Sequence, residues 1–141
     1  LDIDYADQTK LLRDTLAAQP DLTQAEQDAI AQADDALLDR LKVDASSSDE
    51  AIWKPAAKEL ANLTLNRNHR RSFTDVIFDH ATLLETQNER LFGGQVIYDW
   101  TSDYSSGGIL VRLGGAGARG VVVDGWEPSS RVTALGVSLS R

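Results

Sequence analysis

The sequence predicts an α+β fold. An N-terminal bundle of three to four helices over residues 1–92 precedes a C-terminal antiparallel β-hairpin or sheet over residues 93–141, which ends in an extended strand. Apolar residues recur at three- and four-residue steps as far as residue 91, which is the spacing of one face of a helix. From residue 96 they recur at two-residue steps, the spacing of a strand, and this half is rich in the glycine that hairpin loops use. We therefore expect a single compact domain with a C-terminal arm.

The first two helices are predicted from an apolar stripe and a capping motif. Leucines on one side of residues 1–18 predict a short extended lead and then a helix, which Pro20 closes. The run Thr23-Gln24-Ala25-Glu26 is a capping box, in which the Thr hydroxyl and the Glu carboxylate each bind a free backbone N–H. A second helix should begin there. Its buried stripe comprises Ile30, Ala33, Leu37 and Leu41.

A proline sets the start of the third helix. Pro55 is tolerated in a first turn but would break an interior one, so this helix should begin close to Trp53. Asparagines in residues 62–68 should fray its end, and residues 66–71 form a polar, basic corner.

The chain is organised around residues 72–101, which predict a helix that runs through Gly93-Gly94 into a strand. Ser72 and Asp75 resemble an N-cap with an acidic residue at the third helical position. Gly93 supplies the left-handed residue that commonly ends a helix. The helical half is therefore expected to end at this pair of glycines.

Short apolar runs beyond residue 100 predict further strands at residues 109–113, 121–123 and 132–139. Residues 102–108 and 114–120 carry the glycine and serine of hairpin loops, and Asp124-Gly125 is a tight-turn signal.

Composition excludes several functions. The formal net charge of −8 argues against nucleic-acid binding, because neutralising phosphates requires clustered Lys and Arg. No apolar run approaches the ~20 residues that span a bilayer, so we expect no membrane partner. The absence of cysteine excludes disulfides and thiolate metal sites. Because initiator methionine is not normally removed before leucine, Leu1 predicts a removed leader or an unrecorded first residue.

No catalytic, cofactor or metal motif emerges, so we predict a protein that is not an enzyme. The segment 115–120 matches G-x-G-x-x-G, but a β-branched run follows where a dinucleotide fold needs a helix, so we interpret it as a hairpin loop. His69 and His80 lack the spacing of a metal site, and His80 is expected to be half-buried on an apolar face. An enzyme that uses His80 with nearby aspartates is the weaker alternative.

The candidate site is instead an interface. Arg67, Arg70 and Arg71 form a basic cluster that is either a solvated corner or an arginine-fork contact with an acidic face of another subunit. The chain's own face at Asp34, Asp35 and Asp39 is a suitable complement, which allows self-association in a ring.

Three further features could join this interface. Arg119 at the tip of the glycine loop could meet a carboxylate of a neighbouring chain, and Trp126 is a candidate anchor because tryptophan is enriched at hot spots. The terminal strand carries no charge over residues 132–139, so it should pair with its own sheet or with a neighbour's. Its candidate interface residues are Val132, Leu135, Val137 and Leu139.

Two segments resemble the head–tail connector (adaptor) proteins of tailed viruses: residues 48–67, which include Glu50-Ala51-Ile52-Trp53-Lys54-Pro55, and the preceding helix at residues 33–41. The resemblance covers about half of the chain; the first helix and the long glycine-rich half depart from the usual short form. It implies a virion structural protein, assembled in the host cytoplasm, that forms a homo-oligomeric ring between portal and tail proteins. The resemblance further implies oligomerisation through the helical part and contacts to portal or tail through the β arm. The alternative is a small acidic protein-binding module, cytoplasmic or secreted after leader removal.

Overall fold

The computed structural model describes residues 3–89, 98–117, 120–131 and 135–136, and it confirms the α+β class. The helices are α1 (Tyr5–Ala17), α2 (Gln24–Gln32), α3 (Asp35–Ala45), α4 (Glu50–Asn62), α5 (Thr64–His69) and α6 (Phe73–Gln87). The strands are β1 (Tyr98–Tyr104), β2 (Leu110–Gly117), β3 (Gly120–Trp126) and β4 (Leu135–Gly136). They form one sheet in the order β3-β2-β1-β4, in which β1, β2 and β3 are antiparallel and β4 runs parallel to β1.

The described helices number six, rather than the three to four that we predicted, because one predicted helix is divided and a segment that we expected to be frayed forms another helix. The second predicted helix is interrupted after Gln32, where Asp34 accepts a hydrogen bond from the Leu37 N–H and so caps a new helix. The apolar stripe continues across the break, since Ala33 and Leu41 are both buried. The frayed segment that we expected beyond Asn62 forms a short helix of its own, α5.

Pro55 lies in the second turn of α4, so this helix begins earlier than the position near Trp53 that we predicted. Asp49 caps its start by accepting from the Ala51 N–H, which favours Glu50 as the first helical residue. Trp53 and Leu60 then face the core as expected.

The capping signals that open α2 and α6 are confirmed, because both capping boxes form. Our prediction for the end of α6 is wrong: the helix stops at Gln87, and Asn88 rather than Gly93 adopts the left-handed conformation. Asparagine tolerates this conformation better than other residues with a side chain. Gly93-Gly94 lies outside the described residues.

The two faces of the sheet are covered by different helices. Trp100 and Leu110 belong to the main core, which they share with residues of α1, α3 and α4. Side chains alternate between the two faces along a strand, so Leu110 and Arg112 share one face and Leu113, which follows Arg112, lies on the opposite face. There α6 contacts β1 and β2, and the side of α6 that bears Val76 and His80 is buried.

The segment after β3 returns to the start of α1. The Tyr5 N–H donates to the Pro128 carbonyl oxygen over 3.0 Å, and Arg131 donates to the buried carboxylate of Asp4 over 2.8 Å. Asp4 also caps α1 by accepting from the Asp7 N–H. This contact joins the first helix to the last part of the sheet.

Asp124-Gly125 does not form the tight turn that we predicted but lies within β3, opposite Arg112 and Val111. A glycine is needed there for a different reason. A Cβ atom on Gly125 would lie 2.7 Å from Cγ2 of Ile109. Gly117 and Gly120 are partners in the antiparallel β2–β3 ladder, so β2 and β3 form a hairpin as predicted. Residues 114–117, which we predicted as part of the loop, lie instead within β2.

Candidate interaction surface

The outer strand β3 is the most exposed part of the sheet. Val122 and Val123 are 45% and 49% exposed, and they are consecutive, so they point to opposite faces of the sheet. Neither face of the sheet is therefore fully covered at β3. In the part of the chain that the structure describes, β2 is the only strand paired with β3. The other edge is formed by β4.

A cation–π stack lies at the C-terminal end of β3. The guanidinium carbon of Arg112 lies 3.3 Å from the centre of the Trp126 ring and 4.1 Å from that of Tyr98. Arg112 also donates to Asp124 over 3.1 Å, and this hydrogen bond holds the pKa of the Asp124 carboxyl below its usual range. Asp124 in turn accepts from the Trp126 indole N–H over 3.1 Å. The stack fixes Trp126 half-buried at the end of the edge strand, and its role as an interface anchor stays a prediction.

The three arginines of the predicted basic cluster have different surroundings. Arg67 is exposed. Arg71 is partly buried, donates to the Asp75 carbonyl oxygen and pairs with Asp79. The structure corrects our prediction for Arg70, which is only 2% exposed and so cannot form a surface contact.

Arg70 is the centre of a buried polar network between α1 and α5. Its Nε donates to Asn66 over 2.8 Å, and its Nη1 donates to Gln8 over 3.2 Å. Nη2 lies 3.3 Å from the Thr9 hydroxyl, and the guanidinium carbon lies 4.1 Å from the centre of the Tyr5 ring. Burial lowers the pKa of the Arg70 guanidinium and raises that of the Tyr5 phenol. The network ties α1 to the end of α5 around a buried positive charge, whose charged form the buried carboxylate of Asp99 also favours.

The acidic face at Asp34, Asp35 and Asp39, which we predicted to bind arginines of another subunit, already makes contacts within its own chain. Asp35 accepts from Lys10 and Arg13 at 3.0 and 2.9 Å, and the hydrogen bond from Lys10 lowers the pKa of its carboxyl. Asp34 caps α3, while Asp39 is exposed. A partner arginine would therefore compete with internal contacts at two of these three carboxylates.

Three apolar side chains of α6 remain partly open to solvent. Phe73 and Leu84 lie on the same side of the helix as the buried Val76 and His80, yet they are 38% and 43% exposed. Phe78 points away from that side and is 70% exposed.

Most of the predicted terminal interface lies outside the described residues, namely Arg119, Val132, Val137 and Leu139. The backbone of Leu135 pairs with β1 of its own sheet, so one of the two alternatives for the terminal strand is observed at this position.

His80 is buried, which agrees with its predicted place on the apolar face, and His69 is half-buried. Within the described ranges, no group of three or more His, Cys, Asp or Glu side chains is placed to hold a metal ion. No helix among these ranges has both the length and the apolar character to cross a membrane.

No protein-family model, curated protein or solved structure gives a significant match to this chain.

Proposed function

We propose that this protein is a non-enzymatic assembly protein that forms a homo-oligomeric ring through the edges of its sheet, as a head–tail connector of a tailed virus. The observation that carries the proposal is the open outer edge of β3. The resemblance of residues 33–41 and 48–67 to connector proteins supports the viral setting.

Nothing in the sequence of β3 protects its edge. Natural edge strands avoid pairing with other chains by means of Lys, Pro or bulges. Residues 120–126 contain no Lys, Arg or Pro, and their one charged residue, Asp124, is paired with Arg112. Val122 and Val123 add apolar surface on both sides of the edge. Another strand that paired there would satisfy free backbone groups and cover these valines.

The order of the strands provides two different edges, as a ring requires. The sheet ends in β3 on one side and in β4 on the other, so its two edges differ. Pairing of β3 in one copy with β4 in the next is a heterologous contact, because the two surfaces differ. Such a contact generates a closed ring when the rotation from one copy to the next is a whole fraction of a full turn. The second copy is therefore the occupant that we assign to the β3 edge.

The experiment is a mass measurement by size-exclusion chromatography with light scattering on the full chain. We expect the wild type to form an oligomer of more than two subunits and the double variant Val122→Lys/Val123→Lys to be monomeric. The matched control is Val43→Lys, because Val43 is 72% exposed on α3, away from the sheet. A monomeric or strictly dimeric wild type would contradict the ring, and an equal effect of Val43→Lys would contradict the role of β3.

The viral setting has a separate test. The purified oligomer should bind the portal or tail protein encoded beside it in a pull-down assay. An oligomer that binds neither would exclude the connector role and favour the alternative of an acidic protein-binding module, for which the net charge of −8 is the supporting observation.

A further inference from the structure

A pocket of about 620 Å³ lies between α4 and the turn that joins β1 to β2. Its volume is within the range of sites that bind small molecules. The lining residues are Lys54, Pro55, Lys58, Tyr104, Ser106, Gly107 and Gly108.

The pocket is a basic site on an acidic protein. Two of the four lysines in the chain, Lys54 and Lys58, lie in its wall, whereas none of the residues that line it carries a carboxylate. Lys54 pairs with Glu50 on the preceding turn of α4. Lys58 forms no ion pair with any residue that the structure describes, so its charge is available to a ligand.

Further hydrogen-bond donors accompany this charge. The Tyr104 hydroxyl oxygen accepts from the Asn62 side-chain amide over 3.2 Å, which leaves its own O–H free to donate. Over the described ranges, the Ser106 hydroxyl and the Gly107 N–H form no hydrogen bond within the chain. An ammonium, two hydroxyls and a backbone N–H suit an anionic oxygen group.

The walls of the pocket are held in place before any ligand arrives. Gly108 has a φ of +80°, and its N–H donates to the Ser105 carbonyl oxygen over 2.9 Å. A Cβ atom at this position would lie 3.1 Å from the Lys54 carbonyl oxygen, so the turn packs directly on the backbone of α4. On the other side, the amide that binds Tyr104 also donates to the Lys58 carbonyl oxygen over 2.9 Å. Such preorganisation lowers the entropic cost of binding.

We propose that this pocket binds a small anion that carries a phosphate or carboxylate group. Lys58 neutralises the charge, Tyr104 and Ser106 donate hydrogen bonds to its oxygens, and the rings of Pro55 and Tyr104 contact an attached apolar body. The inference is independent of the β3 edge, which lies on another strand.

The test is titration of the full chain, labelled with ¹⁵N, with phenyl phosphate, inorganic phosphate and benzoate, followed by amide chemical shifts and by calorimetry. We expect saturable shifts at Ser106, Gly107 and Gly108 with at least one probe. The probe that binds tightest identifies phosphate or carboxylate as the preferred group, and stronger binding of phenyl phosphate than of inorganic phosphate would support the apolar contact.

Lys58→Gln should weaken binding about tenfold, because a charge-assisted hydrogen bond is lost, and Tyr104→Phe should weaken it by a smaller factor. The matched control is Lys10→Gln, which removes the same charge from α1, outside the pocket, and should bind as the wild type does. The proposal is overturned if no probe gives saturable shifts at the turn, or if Lys10→Gln and Lys58→Gln weaken binding equally. Val122→Lys/Val123→Lys should bind the probe normally, so failure of the ring and failure of the pocket are distinguishable.

Discussion

Replacing Arg70 with alanine tests whether the buried polar network stabilises the helical part of the fold. The change removes the only hydrogen bond described for the Gln8 side-chain oxygen, and Gln8 is 1% exposed. An orphaned buried acceptor costs about 1–3 kcal/mol. The Asn66 oxygen is less affected, because the Thr9 hydroxyl still lies 3.3 Å from it.

Lost packing adds to this cost, and relief from burying a charge offsets part of it. Truncating a large buried side chain costs about 2–5 kcal/mol, and the cation–π contact with Tyr5 contributes up to about 2 kcal/mol. Removing an arginine also ends the desolvation penalty of its charge, which is several kcal/mol. The net expected loss is about 3 kcal/mol, which corresponds to a fall of about 10 °C in the midpoint of thermal unfolding.

Urea unfolding followed by tryptophan fluorescence measures this loss, since Trp100 packs edge-on against Tyr5 with ring centres 5.6 Å apart. The matched control is Arg67→Ala, which removes an exposed arginine from α5, the helix that ends directly before Arg70, and should change stability by less than about 0.5 kcal/mol. If both variants are equally stable, or if Arg70→Ala unfolds at the urea concentration of the wild type, the assignment of a stabilising role to the network is wrong.

Two further predictions concern β3. Asp124→Asn should lower the free energy of unfolding by less than about 1 kcal/mol at pH 7, because the carboxylate is half-exposed. The pKa of Asp124 is lowered in the folded state, so its contribution is lost on protonation, and the difference in stability from wild type should narrow as pH falls below about 3.9. A difference that stays constant with pH would argue against the ion pair. Gly125→Ala should destabilise the protein by about 1–3 kcal/mol in urea unfolding, because the new Cβ meets the stiff, branched Ile109 side chain. The control is Gly107→Ala, which should be nearly neutral because its nearest contact lies at 3.7 Å. Equal stability of the two variants would show that the close approach at Gly125 is relieved without cost.

Local signals in the sequence predicted local structure well. The capping boxes at Thr23 and Ser72 depend on residues three positions apart, and both form. The break before Asp35 was missed because the apolar stripe continues across it, although Asp34 carries a capping signal of its own. Helix starts are therefore accessible from sequence even where apolar periodicity hides them.

Arg70 could not have been assigned to the core from its neighbours along the chain. A run of charges indicates a solvated surface, and the Gln8 and Thr9 side chains that satisfy its guanidinium lie 62 and 61 positions away. Gly125 is a similar case, because its local dipeptide favours a turn while its real constraint is the Ile109 side chain. The pocket at Lys58 also depends on tertiary packing, since it brings α4 against a turn more than forty residues later.

The contact between the start of α1 and the segment after β3 bears on how the protein is made. The Tyr5 amide and the Asp4 carboxylate reach their final partners only when Pro128 and Arg131 have been synthesised. The first turn of α1 is therefore anchored only after more than 120 further residues have been synthesised, whereas α2, α3 and α5 can pack against the same helix earlier.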